Sequence, residues 1–282
     1  MRLGRVEIAL ARDGVFRLDG GQMYGIVPRA LWERVLPADD LNRVPVAGNA
    51  FLVTLEDGRR ALLECGIGRA WNEKIQKIYS FEGPGLLDSL AALGVEPGDV
   101  GLVCLSHLHF DHAGRATYEE KGAWVPAFPN AEYIATRTEW LDAHNVNERT
   151  RASYRAECYD PLKSAGQLRL VDATLEEPVE LTPGLELLVT GGHTRGHAAY
   201  RVTSAGKTAL FWGDLLPTRA HTRPAWITGV DLYPYEGCET KKRLMEESIK
   251  GGWLALLVHE TGEPIGTLER GEKHVEFRAA GE

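Results

Sequence analysis

The 282-residue chain lacks most of the features that announce a protein class at once. No window approaches the roughly 18 uncharged apolar residues of a membrane-spanning helix, so no membrane partner is expected. The opening stretch MRLGRVEIAL has neither a long apolar run nor a small-residue cleavage site, and no signal peptide is expected. Cysteine is scarce: Cys65, Cys104, Cys158 and Cys238 stand far apart, with no CxxC pair. That spacing excludes a disulfide framework and fits a reduced, cytoplasmic chain. Basic charge is in deficit, 32 Lys and Arg against 40 Asp and Glu, for a net charge of -8. Such a balance speaks against a general nucleic-acid or anionic-membrane binder. Repeats, low-complexity tracts and linkers are absent too. What remains, 44% hydrophobic and 26% charged, is a globular composition with enough length to bury a sizeable core.

Strand-like runs come early, at 5–10, 14–20, 50–56 and 60–65, the last two joined by a DGR turn. GLLDSLAALG (85–94) has helical spacing and ends on glycine, and VGLVCLS (100–106) reads as a buried strand. Further on, AEYIAT, LRLVD, LELLVTG, AAYRVTS, KTALFWGD and WLALLVHE read as strands, while RTEWLDAHN and ETKKRLMEESIKG read as helices. This alternation predicts a single α/β domain over 1–282 with about 10–12 strands. Residues 20–48 are punctuated by Gly and Pro and read as an irregular segment. Met23, Tyr24, Ile26 and Trp32 there suit packing under a loop, an active-site lid with an apolar wall, or the contact of a homodimer.

Against this ordinary background, histidine is concentrated. Nine are present, and three fall within six residues of LSHLHFDHAG, as His107-x-His109-x-Asp111-His112. In an extended segment residues i and i+2 share a side, so His107 and His109 can face one point. A turn just afterwards can bring Asp111 and His112 to a neighbouring point. Imidazole and carboxylate donors suit zinc, iron, nickel or manganese, and the absence of nearby cysteine argues against a structural zinc finger. Three later strand ends carry residues of the same type: His193 and His197 after LLVTG, Asp214 after ALFWG, and His259 after LALLV. Ligand-type residues outside the carboxyl ends of several strands are where α/β folds place active sites.

H-x-H-x-D-H, then G-H-T-x-G-H, then G-D after one apolar strand and histidine after another, resembles the metallo-β-lactamase-fold hydrolase superfamily. The resemblance runs from GNAFLV to His259. It implies a four-layer αββα sandwich with two divalent metal ions, zinc first and iron, manganese, nickel or cobalt as substitutes, at one edge. Carried over residue by residue, His107, His109 and His193 would hold one ion. Asp111, His112 and His259 would hold the other, Asp214 would bridge, and His197 would hydrogen-bond the loop. A hydroxide shared by the two ions would attack the substrate, with Asp111 moving the proton to the leaving group.

The fold alone does not choose a substrate. Histidine at 109, where flavodiiron oxidoreductases carry glutamate, demotes a redox reading. SHLHFDHAG, WNEKIQKIY and GDLLPTRAHTRPAW look like the branch of N-acyl-homoserine lactonases and related aryl-ester and organophosphate hydrolases. A small-molecule lactone or carboxylic ester is therefore the expected substrate. The alternatives are a mononuclear iron sulfur dioxygenase, needing only His107, His193 and Asp214, or a glyoxalase II-like thioester hydrolase. Two departures stand out. Glu64-Cys65-Gly66 occupies the place of the family's Asp-Thr-Gly. Pro217 stands where the lactonases carry a tyrosine, leaving His221, Tyr233 or Tyr235 to assist the electrophile; His221 is the catalytic candidate among them. Cys65 and Cys104 are expected to be buried, reduced and uncoordinated.

Overall fold

The computed structural model describes residues 1–68 and 71–281. Strands β1 (Arg2–Leu3), β2 (Val6–Asp19), β3 (Arg43–Thr54), β4 (Arg60–Leu63) and β5 (Leu102–Cys104) come first, followed by a separate hairpin of β6 (Thr117–Glu120) and β7 (Ala123–Pro126). With β8 (Glu132–Thr136) and β9 (Leu168–Val171), a first sheet of seven strands has the order β1-β2-β3-β4-β5-β8-β9. A second seven-stranded sheet runs in chain order through β10 (Val179–Thr182), β11 (Leu185–Val189), β12 (Ala198–Ser204), β13 (Lys207–Phe211), β14 (Leu254–Leu256), β15 (Ile265–Arg270) and β16 (Val275–Ala279).

The layers follow from the apolar runs. Consecutive strand residues point to opposite faces, and here both faces are buried. Phe51, Leu63, Ile134, Tyr200, Phe211 and Leu256 meet between the sheets. Their neighbours Leu62 and Tyr133 face outward against Leu86 and Leu90 of the helix Leu86–Ala92 and Trp140 of the helix Arg137–Ala143. On the other side Leu210 and Ala255 pack on Leu244 and Met245 of the helix Pro234–Gly251. The result is the αββα sandwich: helix, sheet, sheet, helix. Among the described residues no helix is long and apolar enough to cross a membrane.

Sixteen strands appear among the described residues, more than the 10–12 expected. The β6–β7 hairpin hides in TYEEKGAWVP because its turn is Lys121-Gly122, both with positive φ (51° and 84°), rather than a recognisable Asn-Gly. The two runs at 5–10 and 14–20 are one strand, β2, with a register shift between Arg12 and Val15. That bulge turns the buried Asp13 carboxylate out of the ladder, where it accepts the N–H groups of Gly68 and Leu86 at 2.7 Å each.

The segment expected to be irregular to residue 48 becomes strand at Arg43, since Val44 and Val46 alternate into the core despite Pro45. Residues 20–42 are short turns of helix and loop. Met23, Tyr24 and Trp32 are buried there in a fourth cluster with Phe16, Val46, Phe110 and Ala220, whereas Ile26 is exposed. This cluster caps one edge of the sandwich.

Phe51 and Phe211 meet edge to face across the two sheets, with centroids 5.8 Å apart and both rings inaccessible to solvent. Phe211→Ala is expected to cost about 3–5 kcal/mol of stability through lost burial and the cavity left behind. Chemical denaturation of the variant beside the parent measures it; a loss below about 1 kcal/mol would contradict this inter-sheet core.

Candidate metal centre

Strands β4, β5 and β8 are mutually parallel, and so are β13 and β14. Strand β11 runs the same way as β13, because each pairs antiparallel with β12. Their carboxyl ends deliver the predicted residues to one edge. His107 and His109 follow β5, a single helical turn Phe110–Ala113 carries Asp111 and His112, His193 follows β11, Asp214 follows β13 and His259 follows β14. Gly213, at φ 50°, is required before Asp214: a Cβ there would lie 2.5 Å from His197 Nε2.

The chemistry shows in which nitrogens have partners. His193 Nδ1 donates to Asp231 Oδ1 at 2.8 Å, which leaves Nε2 as the nitrogen turned to the centre. That nitrogen faces His109 Nδ1 at 3.0 Å. His107 Nδ1 meets Ser106 Oγ at 2.9 Å, and its Nε2 is buried without a partner. These three nitrogens lie within 4.8 Å of one another. His259 Nδ1 donates to Ala47 O at 2.8 Å, so its Nε2 lone pair also faces the centre. His112 is buried with both ring nitrogens unpartnered. Asp111, His112 and His259 form another converging group, as do His107, His112 and Asp214.

Asp214 lies between the two sets. Its Oδ2 is 3.3 Å from His193 Nε2, while Oδ1 is 3.4 Å from His112 Nε2 and 3.2 Å from His259 Nε2. Buried polar atoms without partners cost about 1–3 kcal/mol each, and imidazole lone pairs facing one another repel. A cation relieves both at once. At the usual zinc–nitrogen bond length, tetrahedral ligand atoms stand about 3.3 Å apart, which matches this spacing. The residues present fit divalent metal on each side of Asp214.

Protonation follows the same geometry. Burial and the neighbouring imidazoles hold His107 and His109 well below the usual histidine range. Burial also opposes charge on His112, but Asp214, Asp111 and Glu64 outweigh it and raise its pKa well above normal. Burial raises the Asp214 pKa less than His112, His193 and His259 lower it, so it stays ionised. His197 is depressed to about 3, chiefly by burial. It is the neutral acceptor its role needs, taking the Asp214 N–H on Nε2 at 2.9 Å and contacting Thr190 Oγ1 through Nδ1 at 2.6 Å.

Buried carboxylates support the centre, and sequence reasoning singled out only one. Glu64, at φ 75°, accepts the Ser106 N–H at 2.8 Å and brings Oε2 within 3.5 Å of His112 Nδ1, from the place where the family carries the shorter aspartate. Glu139 was missed. Its Oε1 accepts Leu108 N–H (3.0 Å) and Tyr154 hydroxyl (2.9 Å), and its Oε2 accepts Thr194 hydroxyl (2.6 Å), tying the two histidine loops together. Asp231 was missed as well; it also accepts the Thr228 hydroxyl. The one available signal was chemical: a ligating histidine usually gives its other N–H to a carboxylate or carbonyl. Cys65 and Cys104 are buried free thiols, their pKa values raised by burial and by Glu64.

His221 stands apart from the centre. Its Nε2 donates to Met23 O at 2.9 Å and its Nδ1 meets Thr218 Oγ1 at 2.7 Å, in a fully buried ring stacked on Tyr24. With both nitrogens engaged it ties residue 23 to the loop after β13, and neither nitrogen is free for a substrate. Tyr233 and Tyr235 are 38% and 76% exposed. None of these three lines the cavity over the centre, contrary to the expectation that one would assist the electrophile. That cavity, about 20 Å³, is walled by Gln22, Met23, Phe110, Ser153, Thr228 and Val230 around His109, Asp111, His193, Asp214 and His259. A neighbouring cavity of about 90 Å³ shares His109, Ser153 and Val230 with it and adds Arg149. A larger open groove of about 610 Å³ beside Arg43 and Lys77 carries none of the converging groups, so volume alone does not mark the chemistry.

Comparison with known proteins agrees with this geometry. Residues 43–259 match the metallo-beta-lactamase superfamily. The chain belongs to that superfamily. It is 34% identical over 184 residues to an N-acyl homoserine lactonase of Bacillus cereus, covering 63% of this chain and 62% of that one. To an N-acyl homoserine lactonase of Bacillus thuringiensis it is 35% identical over 112 residues, 40% of this chain and 36% of the relative. The matched stretches thus span about a third to three fifths of those relatives. Among solved structures, a probable metal-dependent hydrolase from Staphylococcus aureus superposes with a TM-score of 0.89 at 26% identity, over 100% of this chain and 99% of that one. AidC, a dizinc quorum-quenching lactonase solved with the product N-hexanoyl-L-homoserine, shares the fold with a TM-score of 0.81 at 19% identity, over 99% and 96% of the two chains.

Within this superfamily member, Asp231→Ala removes the carboxylate that fixes the His193 tautomer. Zinc affinity is expected to fall about 10- to 100-fold while the thermal midpoint of the metal-free protein changes little. Competition with a chromophoric chelator reads the affinity; an unchanged value would contradict the role assigned to Asp231.

Proposed function

We propose that this chain is a dinuclear metal-dependent hydrolase of a lactone or carboxylic ester, with acyl-homoserine lactones the first substrates to try. The observation that carries the reading is the pair of converging donor sets on either side of Asp214. His107, His109 and His193 would hold one divalent cation, Asp111, His112 and His259 the other, and Asp214 would contribute to both. The mixed nitrogen and oxygen donors favour zinc, with iron, manganese, nickel and cobalt able to replace it. Two such cations, when bound, polarise a carbonyl oxygen and bring the pKa of water down to near neutrality.

The protein's own residues then have definable work. Asp111 lines the cavity and is half-buried, whereas the other six proposed ligands are buried. Its carboxylate takes the proton that the attacking water gives up and returns it to the departing alkoxide, yielding an alcohol and a carboxylic acid that loses its own proton to solvent. Glu139 and Asp231 keep His109 and His193 aimed, so little reorganisation is needed as charge develops. A mononuclear oxygenase would leave Asp111, His112 and His259 without purpose, and their convergence favours the hydrolase.

The test combines metal analysis of protein purified without added metal with a panel of lactone, thioester, phosphotriester and β-lactam substrates. About two zinc-type ions per chain and preferential lactone or ester hydrolysis are expected. One iron per chain with no hydrolysis would sink the reading. Asp111→Asn is expected to stay folded and lose at least about 100-fold in turnover, because an amide cannot carry the proton and is a poorer ligand. Turnover near that of the parent would remove Asp111 from the mechanism.

A further inference from the structure

Pro217 removes the phenol that lactonases of this branch use on the electrophile, and the three residues that sequence suggested in its place do not line the cavity. Polar groups that do line it, apart from the proposed ligands, come from Gln22, Ser153 and Thr228. The Thr228 hydroxyl is taken by Asp231. Ser153 belongs equally to the neighbouring cavity, where a substrate's non-reacting arm has room. Gln22 remains. Its side-chain amide is half-buried and has no hydrogen-bond partner among the described residues. Its backbone, by contrast, is held through its own carbonyl and through both neighbouring residues. Gly229 N–H donates to Gln22 O at 2.8 Å, and His221 holds the next carbonyl, Met23 O. The preceding turn is capped by Asp19, which accepts Gly21 N–H at 2.8 Å.

A donor with no partner of its own, carried on a held backbone beside the centre, is available to a substrate oxygen at the place where charge develops. Resting on the hydrolase reading above, we propose that the Gln22 carboxamide N–H donates to the carbonyl oxygen of the scissile ester. As the water oxygen bonds to the carbonyl carbon, the C=O π pair moves onto that oxygen, where the N–H meets the new charge. The C=O then re-forms, the ring C–O bond breaks, and the alkoxide takes the proton held by Asp111. His221 is on this account a positioning residue for Gln22, acting through Met23.

The experiment compares parent, Gln22→Leu and Gln22→Glu as zinc-loaded enzymes on N-hexanoyl-homoserine lactone, a simple γ-lactone and an aryl ester, with zinc content and thermal midpoint alongside. Gln22→Leu is expected to lose about 10- to 100-fold in kcat, the lower reach of what removing an oxyanion donor costs. KM should change less than about threefold, because the interaction strengthens in the transition state. Gln22→Glu keeps the shape but puts an acceptor where the donor was, so it should lose at least as much; mere packing of residue 22 would leave it near the parent. Zinc content and midpoint should match the parent in both. An active parent with Gln22→Leu or Gln22→Glu within about twofold of its kcat overturns this proposal alone. A zinc-loaded parent that opens none of the three substrates overturns the hydrolase reading, and this proposal with it.

Discussion

Asp214 is one buried carboxylate facing imidazoles from three separate loops, with His193 against one oxygen and His112 and His259 against the other. Burying a carboxylate is costly unless opposite charge and hydrogen bonds compensate. Here the facing imidazoles supply that compensation, and a divalent cation on each side would add to it. The constraint propagates outward. Each facing nitrogen must present a lone pair, so each opposite nitrogen must be held as a donor or otherwise engaged. The carbonyl of Ala47, the carboxylate of Asp231 and the hydroxyl of Ser106 fill those places for His259, His193 and His107.

Those partners come from a strand of the first sheet and from loops beyond the strand ends, so the centre and the sandwich stabilise each other. Asn49 of β3 shows the coupling. Its amide donates to Leu257 O at 3.0 Å and Glu260 O at 2.7 Å, fastening the His259 loop of the second sheet to a central strand of the first. Glu139 does the same between loops of opposite sheets, joining Leu108 to Thr194. Its pKa is raised by burial, yet three hydrogen bonds work against that rise and favour the charged form. The two sheets meet edge-on at these contacts and face to face in the apolar layer between them, so displacing one against the other disturbs both.

What the sequence made legible is what local spacing and strand ends can encode. His107 and His109 sit two apart in an extended run, and each later ligand ends an apolar strand, so the converging residues could be read from spacing, while the sandwich followed from the family resemblance that those motifs carry. The supporting carboxylates could not be. Asp231 lies 38 residues from His193 and Glu139 lies 55 from Thr194, in stretches that look like ordinary loop and ordinary helix. Nothing in TGVDLY or RTEWLDA separates a carboxylate destined for the centre from one facing solvent. The error over residues 43–48 has a different cause. Pro45 reads as a loop signal, but the pairing of Val44 with Leu18 and Val46 with Phe16 puts both valines in the core, and that packing outweighs the N–H the proline lacks. His221 misled for a third reason: distance from Asp214 in sequence placed it near the centre without telling which way its ring points.

Its actual direction explains why a proline suits position 217. The Pro217 carbonyl accepts the His259 N–H at 2.9 Å, and the adjacent Thr218 hydroxyl meets His221, whose other nitrogen holds Met23. A continuous run of contacts therefore links a proposed metal ligand to the capping segment at residues 22–24. Proline fixes φ and needs no acceptor for an N–H of its own, so it stiffens the first link of that run. A tyrosine there would supply a phenol but leave the backbone freer to move. The chain has instead a stiff link between His259 and the cap, and any group the cap presents to the cavity inherits the position of the metal-binding loop.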